Sequence, residues 1–196
     1  MKLSKTQFLK ISSEQAITDN VIDYDDIKLP KRATVGSAGY DFFSPTSFTL
    51  LPGETIKIAT GIRCRIDEGF VLKIYPRSSF GFKYRAVLDN TVGIIDSDYF
   101  NADNEGHIFV KITNNGDKTL VVNKGDAFCQ GIFVQYFLTC DDDATGVRTG
   151  GIGSTSEVKK EPKPITSLEE FLSSGIDREI LLDDDYYKIM SQLYNQ

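Results

Sequence analysis

Arg77, Ser78 and Ser79 stand together just after an apolar run, a planar cation and two hydroxyls of the kind that holds phosphate oxygens. Further on, Gly150-Gly151-Ile152-Gly153 can turn backbone N–H groups toward an anion, because glycine tolerates close approach and positive φ. Ser154 and Thr155 add donors there, and Arg148 adds charge. No lysine follows the glycines at P-loop spacing, so this is not a Walker-type site. Asp96 closes the apolar stretch Val92-Gly93-Ile94-Ile95, which is expected to hold its carboxylate against the core. A carboxylate held in that way can orient a water and take its proton during attack on phosphorus. Each stretch alone also has a plainer reading: a solvated loop for Arg77, a flexible linker for the glycines, a turn acid for Asp96.

These residues need a scaffold, and the sequence offers one. From about residue 27 to residue 136, short apolar alternations follow one another. Ile56 and Ile58 form one face; Ile62, Cys64 and Ile66 form the next; Phe70, Leu72 and Ile74, then Ile108, Val110 and Ile112, repeat the period of two. Pro52-Gly53, Asp67-Glu68-Gly69, Asn115-Gly116-Asp117 and Lys124-Gly125-Asp126 punctuate them as turns. The pattern predicts an all-β barrel or sandwich, with no long helical period to suggest a doubly wound sheet. The flanks differ. Residues 1–24 are polar with a weak helical tendency, and residues 157–164 read as a charged, proline-bearing linker. Beyond it, Thr166 and Glu169 offer a capping box for a short helix carrying Leu168, Phe171 and Leu172. Asp183, Asp184 and Asp185 are placed to open a last helix with Tyr186, Ile189, Met190 and Leu193.

At 196 residues the chain suits one domain with extensions. A formal charge of −6 argues against general nucleic-acid binding, which needs a basic surface, but leaves room for a phosphate-bearing ligand met by local cations. Cys64, Cys129 and Cys140 lack metal-finger spacing and read as small hydrophobes in a reducing compartment. No segment approaches the ~20 apolar residues of a membrane span, and Lys2 and Lys5 precede no signal-type apolar region. The expectation is a soluble, cytoplasmic protein without a membrane partner. His107 has no second histidine to pair with and reads as a packing residue, and Asp141, Asp142 and Asp143 read as a solvated loop.

Five segments in order complete the sequence picture: Ala38-Gly39-Tyr40-Asp41, Pro76-Arg77-Ser78-Ser79, Gly93-Ile94-Ile95-Asp96-Ser97-Asp98-Tyr99, Gly125-Asp126-Ala127-Phe128-Cys129-Gln130, and Arg148-Thr149-Gly150-Gly151-Ile152-Gly153-Ser154-Thr155. Together they resemble the five motifs of the homotrimeric dUTP diphosphatases, over about residues 25–156. The resemblance implies a jelly-roll-type β-barrel, three copies sharing sites at their interfaces, and Mg²⁺-assisted hydrolysis of dUTP to dUMP and pyrophosphate, limiting uracil in DNA. It implies Asp96 as the general base and Asp98 as a supporting carboxylate. Tyr99 would pack on the deoxyribose and exclude a 2′-hydroxyl, while Asn90, Gly93, Ile94 and Ile95 read the uracil edge. Gln130 would serve phosphate or inter-subunit contacts and Asp41 would hold the site together. Mg²⁺ would ride on the phosphates and waters, with no all-protein metal cage. The alternatives are a dCTP deaminase-related enzyme and a nucleotide-responsive interaction module on the same fold.

Three positions depart from the family pattern: Ile152 stands where a uracil-stacking phenylalanine is common, Ala127 where an arginine is frequent, and residues 100–106 lengthen the turn after Tyr99. Residues 157–196 follow the last motif, either to dock on the trimer or to bind a protein partner.

Overall fold

The alternating runs become twelve strands in a computed structural model that describes residues 5–151. In chain order these are β1 (Gln7–Lys10), β2 (Lys31–Arg32), β3 (Tyr40–Phe43), β4 (Phe48–Leu50), β5 (Thr55–Ala59) and β6 (Ile62–Arg65). They continue as β7 (Phe70–Pro76), β8 (Ala86–Leu88), β9 (Gly93–Ile95), β10 (Phe109–Asn114), β11 (Leu120–Val122) and β12 (Ala127–Gln135). Two short helices join them, α1 (Ser13–Thr18) and α2 (Ser78–Tyr84). All pairings are antiparallel, in sheets ordered β2-β3-β12-β7-β9, β5-β10-β8, β1-β6 and β11-β4. This is an all-β, jelly-roll-like fold. The expected linker and helices beyond residue 156 lie outside the described residues.

The faces turn inward largely as the period predicts. Ile62, Cys64 and Ile66 are buried, as are Ile108, Val110 and Ile112. Each fully buried aliphatic side chain contributes about 1.5–3 kcal/mol. In β7, Leu72 and Ile74 are buried, but Phe70 is exposed and Val71 buried instead. Phe70 pairs with Gln135 at the last position of the β7–β12 ladder, and among the described residues its side chain stays 40% exposed.

Residues 5–24 belong to this core. β1 pairs with β6, and Phe8 meets Phe42 edge-on at 5.5 Å between ring centroids. Ser12 caps α1 by accepting from the Gln15 N–H, and the helix ends at Asp19. Asp19 then reaches the sole histidine: its Oδ2 lies 2.6 Å from His107 Nδ1. On the other side of the ring, the Gly61 N–H donates to Nε2 at 2.8 Å. An N–H aimed at Nε2 requires that nitrogen to be an acceptor, so the ring is neutral and carries its proton on Nδ1. Burial pushes the His107 pKa down, and this outweighs the upward pull of the Asp19 carboxylate.

A lowered folded-state pKa means that this stabilisation is complete above the unfolded value of 6.5 and is lost as the pH falls below it. Within that window the loss should steepen as the pH falls, to at most about 1.4 kcal/mol per pH unit for this one proton. Urea midpoints between pH 7.5 and 5.5 measure it. The slope should shrink in His107→Gln, whose amide oxygen can still accept from Gly61, and an equal slope in both proteins would contradict the assignment.

Candidate active site

Two groups of motif residues form, at different places. The first lies where β7 ends. Gln130 of β12 sits between Asp41 of β3 and Tyr75 of β7 in the strand register. Its Nε2 donates to the Pro76 carbonyl at 3.3 Å. A Cβ on Gly39 would come within 2.4 Å of Gln130 Oε1, so a larger residue there would push this amide out of its present place. Arg77 leaves the strand in extended conformation and meets Asp41, Nε to Oδ1, at 3.2 Å. Its Nη1 donates to the Ala127 carbonyl. The Arg77 side chain remains 40% exposed, so this ion pair adds little stability; its effect is to aim the guanidinium.

Ser78 and Ser79 are exposed beside it, but they open α2 rather than a loop. Nothing local announces this helix, because Ser78-Ser79-Phe80-Gly81 carries no helical apolar period. Phe80 anchors it by burial.

The second group surrounds a pocket of about 550 Å³. Asn90, Gly93, Ile94, Ile95, Tyr99 and Arg148 line it, with Ile74, Leu88, Ile108 and Val110 among the apolar wall residues. The turn from β8 to β9 is tight, with Thr91 at φ 60° and its N–H bonded to the Leu88 carbonyl at 2.8 Å. It bridges two sheets, since β8 pairs with β10 and β9 with β7. Gly93 lies close against Ile74, where an added Cβ would meet the Ile74 Cβ at 3.1 Å.

Asp96 sits where β9 gives way to a short 3₁₀ turn, Ser97–Asn101. The apolar stretch was expected to hold this carboxylate against the core. Instead its side chain is 47% exposed, because the chain has left the sheet, and Arg148 holds it. Arg148 Nη2 donates to Asp96 Oδ2 at 3.0 Å, and Arg148 Nε pairs with Asp98 Oδ1 at 3.1 Å. The guanidinium carbon lies 5.5 Å from the centre of the Tyr99 ring. The next residue, Thr149, accepts from the Asp103 N–H at 2.9 Å. Thus the start of the glycine-rich segment that opens with Arg148 (the arm), the acid and the tyrosine form one contact group.

Tyr99 is buried on the 3₁₀ turn. Its hydroxyl donates to the His107 carbonyl at 2.7 Å and accepts from Asn104 Nδ2 at 2.9 Å, and burial raises its pKa. Sequence reasoning did not single out Asn104 as a partner, since it lies in an insertion foreign to the motif pattern. Nor did it find Lys57 and Lys111 at the pocket, which face each other in the β5–β10 register from distant parts of the chain. Ile152, Gly153, Ser154 and Thr155 lie outside the described residues; Gly151 packs against Asn104.

Within one chain the two groups do not meet. β9 runs antiparallel to β7 with Ile95 opposite Leu72, which sets Asp96 beside position 71. Arg77, just past the end of β7, lies six residues further on, roughly 20 Å at strand rise.

Fold and site together define an all-β protein with a nucleoside-sized pocket beside an acid and a separate arginine–serine corner. The dUTPase family pattern matches residues 25–156. A deoxyuridine 5'-triphosphate nucleotidohydrolase of Lactococcus lactis is 44% identical over 133 residues, 66% of this chain and 88% of that one. One from Shewanella baltica is 37% identical over 153 residues, 74% of this chain and 97% of its own. Among solved structures, the dUTPase from Streptococcus mutans aligns with a TM-score of 0.53 and 34% identity, covering 67% of this chain and 97% of that one. A point variant of the dUTPase from phage phi11 of S. aureus, which coordinates a structural Mg(II) ion, shares the fold with a TM-score of 0.54 and 23% identity, over 72% of this chain and 97% of its own. The chain belongs to the dUTPase family.

Proposed function

We propose that this protein is a dUTP diphosphatase in which Asp96 is the general base and each site draws on more than one copy of a homotrimer. The observation that carries this is the pocket framed by Asn90, Gly93, Ile94, Ile95 and Tyr99, with Asp96 between its last two members in sequence. Uracil enters against the backbone of residues 90–95, where a wrong base leaves buried polar groups unpaired. The deoxyribose lies on Tyr99. Water attacks the α-phosphorus, its proton passes to Asp96, and the bond to the bridging oxygen of pyrophosphate breaks.

Arg77, Ser78 and Ser79 hold the phosphate tail, with Gln130 and Asp41 fixing their geometry. The distance along β7 supports drawing them from a neighbouring copy. Arg148 is tied to Asp96 in the free chain. A triphosphate offers it a more highly charged partner, freeing the carboxylate as the arm closes with Gly151, Gly153, Ser154 and Thr155.

Among the described residues, no three His, Cys, Asp or Glu side chains group so as to hold a metal ion. At the phosphate corner Asp41 is already matched to Arg77. That donor set suits phosphate oxygens, and Mg²⁺ would be carried by the triphosphate and its waters rather than by these side chains. When bound there it offsets charge on the pyrophosphate leaving group.

A reducing, cytoplasmic setting suits the thiols: Cys64 and Cys129 are buried, with the Cys64 pKa pushed up to about 12 by burial, whereas Cys140 is exposed and is not the small buried hydrophobe expected of it. The family assignment sets the deaminase alternative aside. The full chain with Mg²⁺ should release one pyrophosphate per dUTP and no ammonia from dCTP. Absence of pyrophosphate release would sink the proposal.

A further inference from the structure

We infer that Asn104, in the insertion after Tyr99, is a positioning residue for sugar selection that holds the Tyr99 ring at the depth admitting deoxyribose and refusing ribose. The inference rests on Tyr99 being the sugar platform. Its own basis is a closed set of contacts behind that ring.

Tyr99 turns its hydroxyl away from solvent and spends its one proton on the His107 carbonyl, at 2.7 Å. Only its lone pairs remain, and the Asn104 amide donates to them at 2.9 Å. The orientation of that amide is fixed, because the Gly106 N–H donates to Asn104 Oδ1 at 3.2 Å and leaves Nδ2 facing the tyrosine. Gly106 can make this turn because it lacks a Cβ: at φ 70°, an added carbon would come within 2.5 Å of the Tyr99 carbonyl oxygen. His107 is held in turn by Gly61 and Asp19. The ring therefore has a rigid stop on both sides of its hydroxyl.

Asn104 also touches the arm. A Cβ at Gly151 would meet Asn104 Nδ2 at 3.2 Å, so the same amide backs the tyrosine and supports the glycine segment. Refusal of a 2′-hydroxyl is a matter of packing, and a close-packed wall excludes one extra oxygen only while it cannot yield. Loss of the Asn104 donor leaves a buried oxygen short of a partner and lets the ring shift.

The test compares hydrolysis of dUTP and UTP by the full chain and by Asn104→Asp, Tyr99→Phe and the double variant. Asn104→Asp preserves the Oδ1 acceptor for Gly106 but removes the donor to Tyr99. Its dUTP-to-UTP ratio of kcat/KM should fall by about three- to ten-fold, the value of one buried hydrogen bond. In the Tyr99→Phe background the same change should have no further effect on the ratio. Asn104→Ala, which adds no charge, should shift the ratio in the same direction and covers the case of an Asn104→Asp chain that does not fold.

An unchanged ratio would overturn the inference, even if kcat fell equally for both nucleotides, as a merely structural role would give. Additive effects with Tyr99→Phe would overturn it too. Failure of the underlying function is separate: the wild-type chain would then release no pyrophosphate from dUTP at all.

Discussion

Asp96→Asn should lower kcat for dUTP by about 10²–10⁴-fold, the range for loss of a positioned general base, while nucleotide binding survives. The substitution is nearly isosteric. An amide oxygen at this place can still accept from Arg148, as the carboxylate now does at 3.0 Å, so the arm contact and the local backbone should persist. What disappears is the capacity to take a proton from water. Titration with a nonhydrolysable dUTP analogue, beside single-turnover kinetics, separates the two. Full activity in the variant would remove Asp96 from the mechanism. Lost binding with lost turnover would assign it to holding substrate.

Arg77→Ala should reduce kcat/KM by about 10²–10³-fold, the scale seen when one preorganised donor to developing charge is removed. The structure explains why the effect should be large despite a half-exposed side chain. Asp41 and the Ala127 carbonyl already aim the guanidinium, so no ordering is left to do when phosphate arrives. Arg77→Lys should recover only part of the loss, because an ammonium cannot keep a forked contact with Asp41 and phosphate together. Asp41→Asn should act more weakly than Arg77→Ala, through aim alone. Steady-state kinetics on the three variants check the order, and equal rates for Arg77→Ala and wild type would show that this corner does not meet the substrate.

The strand scaffold was legible because two-residue periodicity is a local property. Ile62, Cys64 and Ile66, or Ile108, Val110 and Ile112, announce their buried face from neighbours two positions away. The outcome at Phe70 shows where that stops: whether a face is covered depends on another sheet, which local pattern does not encode. Helix α2 was missed because it rests on one buried ring, Phe80, without a period. Candidate residues of the site emerged from short motifs, yet their grouping did not. The pairing of Arg148 with Asp96 joins positions 52 residues apart, and nothing in either segment signals the other. The Asn104–Tyr99 contact and the pair of Lys57 with Lys111 arise from loop geometry and strand register, which only the folded chain fixes.

Mixing two dead variants tests the shared site most directly. Chains carrying Asp96→Asn and chains carrying Arg77→Ala, unfolded together in equal amounts and refolded, should regain dUTP hydrolysis to about a quarter of the wild-type rate, since one site in four of a randomly mixed trimer receives both intact residues from different chains. If mixed assemblies are verified by mass and the activity stays at the level of the separate variants, the acid and the arginine do not serve one substrate across copies, and the account fails.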